Sequence, residues 1–244
     1  MEKLSDHVKQ EQVREILLMP IVCDKNIVGI RRRGDRIYTG QKYYSCADED
    51  MSDFAMGFYQ IIYNEILKSN ESIVDDCGKL IDKNFAGDTM NSFKAIANLY
   101  KVYPKGTTDI CEWEDYLWEY FEGYHCLANF WLLPMDIGRR SAKKNRYDSM
   151  DIFLNNLNKD YVYLKEYKSY YEQLSTYSVF CKKHFIEQYE TLENEIVIEK
   201  YKNGFVKELI RQANKCITDR AENISKSRYC SDLWKYFKKL ELIE

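Results

Sequence analysis

The chain has 244 residues, 45% of them apolar, and carries 36 basic and 39 acidic side chains for a formal net charge of −3. That is enough apolar surface for a globular core, while no global field favours nucleic acid or an anionic membrane, so any anion site must be local. The opening MEKLSDHVKQEQ is too polar for a signal peptide and no run of about 18 apolar residues occurs, which excludes secretion by that route and membrane spanning and predicts a cytoplasmic protein.

Residues 2 to 18 read as a polar helix with Val13, Ile16 and Leu17 on one side, stopped by Pro20. The period then changes: NIVGIRRRGDRIYTGQKYY offers two β-prone runs around the turn-forming pair Gly34-Asp35, which predicts a β-hairpin or small ribbon near 27 to 44. From residue 51, Phe54, Phe58, Ile61, Ile62 and Ile66 recur at helical steps and predict one apolar face, and a shorter helix fits 72 to 82. NFAGDTMNSFKAIANLYKVYP reads as a loop at Gly87, a cap at Asp88 or Thr89, and an amphipathic helix through Phe93, Ile96, Ala97 and Tyr100 that Pro104 ends. TTDICEWEDYLWEYFEGYHCLANFWLLP opens on a capping pair, Thr107 or Thr108, and continues as an aromatic helix with a break expected at Gly123. Residues 148 to 160 fit another helix.

The clearest period lies in 161 to 190, where Leu164, Tyr167, Tyr171, Leu174, Ser178, Cys181 and Phe185 alternate steps of three and four and predict one long helix packed on another. Phe205, Leu209, Ala213, Cys216 and Ile217 repeat the pattern over 200 to 220, and a last helix covers 231 to 241. With only three prolines and ten glycines, long helices are favoured over many short strands. The expected fold is mainly α: a single domain over 1–244, a helical bundle of about seven to nine helices with a small N-terminal β-hairpin. The helix at 161–190 is also the expected face of any homo-oligomer.

The eight cysteines never approach C-x-x-C spacing, so they read as small buried hydrophobes and no metal or cofactor is expected. The densest stretch is HCLANFWLLPMDIGRRSAKKNRYDSMDIFLNNL, residues 125 to 157. Its Arg139, Arg140, Lys143, Lys144 and Arg146 put five charges into eight residues with no acid until Asp148, which suits phosphates or an acidic partner. The bland alternative is a solvated loop before a helix. Arg31, Arg32, Arg33 and Arg36 form a second cluster at the expected hairpin turn, though adjacent strand residues point to opposite faces. Glu122-x-x-His125 has the helical spacing of a carboxylate and imidazole pair in di-metal bundles, but no second such pair exists; His184 and Glu187 run in the opposite order, and His7 lies near the terminus. There is no G-x-S-x-G, G-x-x-x-x-G-K or G-x-G-x-x-G, and His125 and His184 are the only partners on offer for a cysteine nucleophile such as Cys126 or Cys181. Tyr161, Tyr163, Tyr167, Tyr170, Tyr171 and Tyr177 suit base stacking, or a core stripe whose hydroxyls reach water.

HCLANFWLLPMDIGRRSAKKNRYDSMDIF resembles, through Leu127, Asn129, Leu132, Leu133 and Asn145, a segment of the HNH-type nuclease domain attached to GmrSD-like modification-dependent restriction enzymes; the match covers about 30 of 244 residues. The resemblance implies a divalent metal and a reaction near His125, Asn129 and Asn145. Ala128 replaces the family's glycine, and nothing between His7 and His125 supplies its earlier general-base histidine. FAGDTMNSF with ANFWLLPMDIGR also resembles an uncharacterised bacterial protein family, which implies no activity. The leading expectation is therefore a non-enzymatic protein that binds nucleic acid or an acidic protein through Arg139, Arg140, Lys143, Lys144 and Arg146. A metal-dependent nuclease of bacterial defence and a structural subunit are the alternatives.

Overall fold

The computed structural model describes residues 5–24, 27–30, 41–42, 49–64, 85–91, 116, 119–120, 123–134, 177–187 and 206–243. Helix α1 (Asp6–Leu18) begins at Ser5, whose hydroxyl accepts the Val8 N–H, and buries Val13, Ile16 and Leu17. A three-stranded antiparallel sheet follows, β1 (Ile21–Asp24), β2 (Ile27–Ile30) and β3 (Gln41–Lys42), in the order β1-β2-β3. The ribbon expected over 27 to 44 corresponds to β2 and β3, and β1 is an added strand pairing Ile21 with Ile30. A 3-10 turn at Glu49–Met51 leads into α2 (Asp53–Ile62), capped by the Ser52 hydroxyl, with Phe54, Phe58 and Ile62 buried.

The described residues do not form the expected bundle of about seven to nine helices. The described residues make five α-helices and two small antiparallel sheets. The main departure is β4 (Phe85–Thr89) with β5 (Phe130–Pro134), paired from Phe85 with Pro134 to Thr89 with Phe130. The loop expected at Gly87 is thus a strand, and the aromatic segment is helical at positions 116, 119, 120 and 123, then turns through a 3-10 element at Leu127–Asn129 into β5. Gly87 has a packing reason: a Cβ there would run into the Asp50 carbonyl and the Tyr59 hydroxyl, so only glycine lets β4 lie against the turn at Glu49–Met51.

The long helix expected over 161 to 190 is also corrected at its end. Helix α3 (Tyr177–Lys183) stops at Lys183, and Phe185 takes a left-handed φ of 58°. The Ile186 N–H bonds the Cys181 carbonyl at 2.8 Å and the Phe185 N–H the Lys182 carbonyl at 3.2 Å, the two bonds of a Schellman end. Ile186 turns into the core, so Phe185 leaves the heptad stripe. Helix α4 (Val206–Ser225) buries Ala213, Cys216, Ile217, Ala221 and Ile224, and α5 (Cys230–Lys239) buries Leu233 and Phe237. Helix α5 ends as α3 does, with Glu241 at φ 59° and Leu242 bonded back to Phe237. Helix α1 packs on α4 and α5, and the Arg14 Nε to Glu222 Oε2 pair at 2.8 Å ties α1 to α4. No helix among the described residues is long and apolar enough to cross a membrane.

Candidate functional site

The described start of the segment singled out in the sequence, residues 125–134, packs on one buried cation. Arg220 of α4 is fully buried, and its guanidinium is held by carbonyl oxygens. Nη1 donates to Ala128 at 2.7 Å, Phe130 at 2.8 Å and Leu127 at 3.3 Å, while Nε donates to His184 at 2.8 Å. These are the carbonyls of the 3-10 turn, the start of β5 and the end of α3, so one side chain fixes the junction of three elements. A helix end offers carbonyls without intrahelical partners, and a cation satisfies both the bond and the local dipole.

Arg220 Nη2 also reaches the Tyr63 hydroxyl at 3.4 Å, and that hydroxyl lies 2.8 Å from His184 Nδ1. A tyrosine oxygen that accepts from the guanidinium directs its own proton to Nδ1, which requires a neutral imidazole. Burial, reinforced by the charges of Arg220 and Lys183, holds the His184 imidazole well below its ordinary value. Burial likewise raises the Tyr63 phenol, despite the nearby guanidinium. The rings of Phe180, Tyr63 and Trp131 close around the imidazole. His184 thus belongs to a buried polar relay.

Asn129, also fully buried, is engaged by backbone. Its Oδ1 accepts the Asn91 N–H at 3.2 Å, and its Nδ2 donates to the Asn91 carbonyl at 3.0 Å and the Tyr124 carbonyl at 2.7 Å. The side-chain amide thereby extends the β4–β5 ladder by one rung, alongside the bond from the Met90 N–H to the Asn129 carbonyl. His125 sits beside Tyr124, with Nδ1 3.5 Å from Glu49 Oε2; both side chains are 24% exposed. The Cys126 thiol is pushed up to about 12 by burial, which keeps it protonated at neutral pH. Among the described residues no group of three or more His, Cys, Asp or Glu could hold a metal ion.

Asn145 and the cations Arg139, Arg140, Lys143, Lys144 and Arg146 lie outside the described residues, as do Arg31, Arg32, Arg33 and Arg36. A different basic site is in view. Between the end of α3 and the turn joining α4 to α5 lies a cleft of about 410 Å³, lined by Lys182, Lys183, Arg228 and Glu187 with Val179, Phe185, Ser227 and Tyr229. Arg228 lies over the Tyr229 ring, 4.9 Å from its centroid, and donates to the Tyr229 hydroxyl at 2.7 Å. Phe185 meets the same ring edge-on at 6.1 Å. Sequence reasoning missed both Arg220 and the cleft. Arg220 had a signal: it falls on the stripe Cys216, Ile217, Ala221 and Ile224, where a charged residue marks a core position that must find partners. The cleft had none, because it joins segments 40 or more positions apart. No protein-family model matches the chain, and neither a curated protein nor a solved structure matches it.

Proposed function

We propose that the chain is a non-enzymatic protein that binds another macromolecule through the basic segment at 139–146, with the phosphates of a nucleic acid or an acidic protein as its target. The observation that carries this reading is the run of five cations in eight residues, Arg139, Arg140, Lys143, Lys144 and Arg146, free of acids in a chain of net charge −3. Two features of the structure support it. The Asn129 amide is engaged by backbone, which gives it a folding role in place of a reacting one. The Cys126 thiol, held protonated, is a poor nucleophile.

The test is binding and cleavage of single- and double-stranded DNA and RNA with Mg²⁺ or Mn²⁺ across a salt series. The expected outcome is salt-sensitive binding without cleavage. Replacing all five cations by alanine should weaken binding and flatten the slope of log affinity against log salt, by about 0.9 for each duplex phosphate that the segment neutralises in the parent. Binding by that variant equal to the parent at low salt removes the segment as the contact. Metal-dependent cleavage that vanishes in His125→Ala would replace this reading with the nuclease one.

A further inference from the structure

We propose that the cleft between α3 and the α4–α5 turn binds a nucleoside phosphate, free or as one unit of a single strand, at a site separate from the basic segment at 139–146. Its volume of about 410 Å³ is far more than a bare phosphate needs and falls in the usual range of small-molecule sites, about 300–1,000 Å³. Its lining divides into two chemistries. Among the described lining residues Lys182, Lys183 and Arg228 outnumber one acid, Glu187, so these side chains bring net positive charge to the cleft in an acidic chain. Val179, Phe185 and Tyr229 supply apolar and aromatic surface, which a phosphate alone would not use but a base or sugar would.

Two details indicate a built site. Arg228 is pre-oriented by the ring and hydroxyl of Tyr229, so less side-chain freedom is given up on gripping an anion. Phe185 holds a left-handed backbone at φ 58°, which costs a non-glycine residue about 1–2 kcal/mol. That strained residue turns its ring toward Tyr229 at the cleft, and such outliers gather at ligand sites. The negative end of α3 would repel an anion; Lys182 and Lys183 in its last turn reverse that sign.

The experiment is calorimetric titration of the full chain with the four nucleoside monophosphates, an eight-residue single strand and inorganic phosphate, repeated with Lys182→Glu, Arg228→Glu and Phe185→Gly. Lys182 is exposed, so its reversal leaves the fold intact even if removing the Arg228 bond to Tyr229 does not. The expected result is salt-sensitive binding of a monophosphate or the strand that falls at least about tenfold in either charge reversal. Phe185→Gly should lose the preference over inorganic phosphate. A monophosphate that displaces the strand identifies a free nucleotide as sufficient; a strand that binds where monophosphates do not identifies single-stranded nucleic acid. Absence of binding by all of them up to about 10 mM, affinity unchanged in Lys182→Glu, or inorganic phosphate binding as tightly as any nucleotide overturns the proposal.

Discussion

Arg220 and Arg228 stand eight positions apart near the end of one helix, and their surroundings give them opposite tasks. The first is fully buried, its guanidinium matched to four carbonyl oxygens and a tyrosine hydroxyl. The second lies on an aromatic ring at the lip of a basic cleft. A cation whose field is spent on fixed backbone dipoles organises the fold, whereas an exposed one laid over an aromatic ring sits where a solute can reach it. The contrast is sharpest in stability. Arg220→Met leaves several carbonyls without their donor and should cost about 3–5 kcal/mol in urea unfolding, while Arg228→Ala should stay within about 0.5 kcal/mol of the parent. Equal losses would erase the distinction.

The next largest effect belongs to Asn129. Removing its amide takes away three buried hydrogen bonds, although the Asn91 carbonyl keeps the Tyr120 hydroxyl at 2.9 Å, so Asn129→Ala should cost about 2–3 kcal/mol. Asn129→Asp should be no better, because it turns a carboxylate on the Asn91 and Tyr124 carbonyls. Folded Asn129→Ala that keeps full stability but loses nucleic-acid binding would instead give this residue a contact role.

The same two regions show what the sequence could and could not say. The buried faces of α1, α2 and α4 follow the spacing of Val13, Ile16 and Leu17, of Phe54, Phe58 and Ile62, and of Ala213, Cys216 and Ile217, because a helix buries neighbours within its own chain segment. The β4–β5 pair follows no local pattern: Gly87-Asp88 looks like a turn, and the register depends on a partner 41 or more positions away. Periodicity likewise extends the helix at 161–190 past Lys183, since Phe185 fits the heptad spacing and only its backbone conformation removes it. Of the candidate site, the sequence places His125 and Asn129 in one short segment, but their partners Glu49, Asn91 and Tyr124 are mostly distant along the chain.

A pH titration separates the buried relay from the cleft. An unfolded imidazole takes up a proton near pH 6.5, whereas buried His184 does so only at lower pH. Between those two values the unfolded chain binds more protons, so the stability this group contributes is fully present above about pH 6.5 and is lost as pH falls. The loss is at most about 1.4 kcal/mol per pH unit for one site. His184→Gln keeps an acceptor for the Tyr63 hydroxyl but cannot titrate, so its urea midpoint should fall less than the parent's from about pH 6.5 to 5. Parallel profiles would mean that His184 takes up its proton alike in the folded and unfolded chains.

The smallest effect lies at the residue that borders both regions. Helices α3 and α5 end in the same Schellman geometry with non-glycine residues at positive φ, Phe185 and Glu241. Glycine adopts that backbone without the Cβ penalty, so Glu241→Gly, at an exposed side chain, should stabilise the protein by about 1 kcal/mol. Phe185→Gly relieves the same strain but forfeits the edge contact with Tyr229 and the apolar area it covers, so its net change in thermal midpoint should be close to nothing. The difference between the two variants therefore measures what the Phe185 ring contributes to the fold. If Phe185→Gly stabilises as much as Glu241→Gly does, the ring adds nothing to packing, and its retention in a strained backbone at the cleft needs the ligand to account for it. If Phe185→Gly is clearly destabilising, packing on Tyr229 alone is reason enough for the strain, and the cleft must stand on its charges.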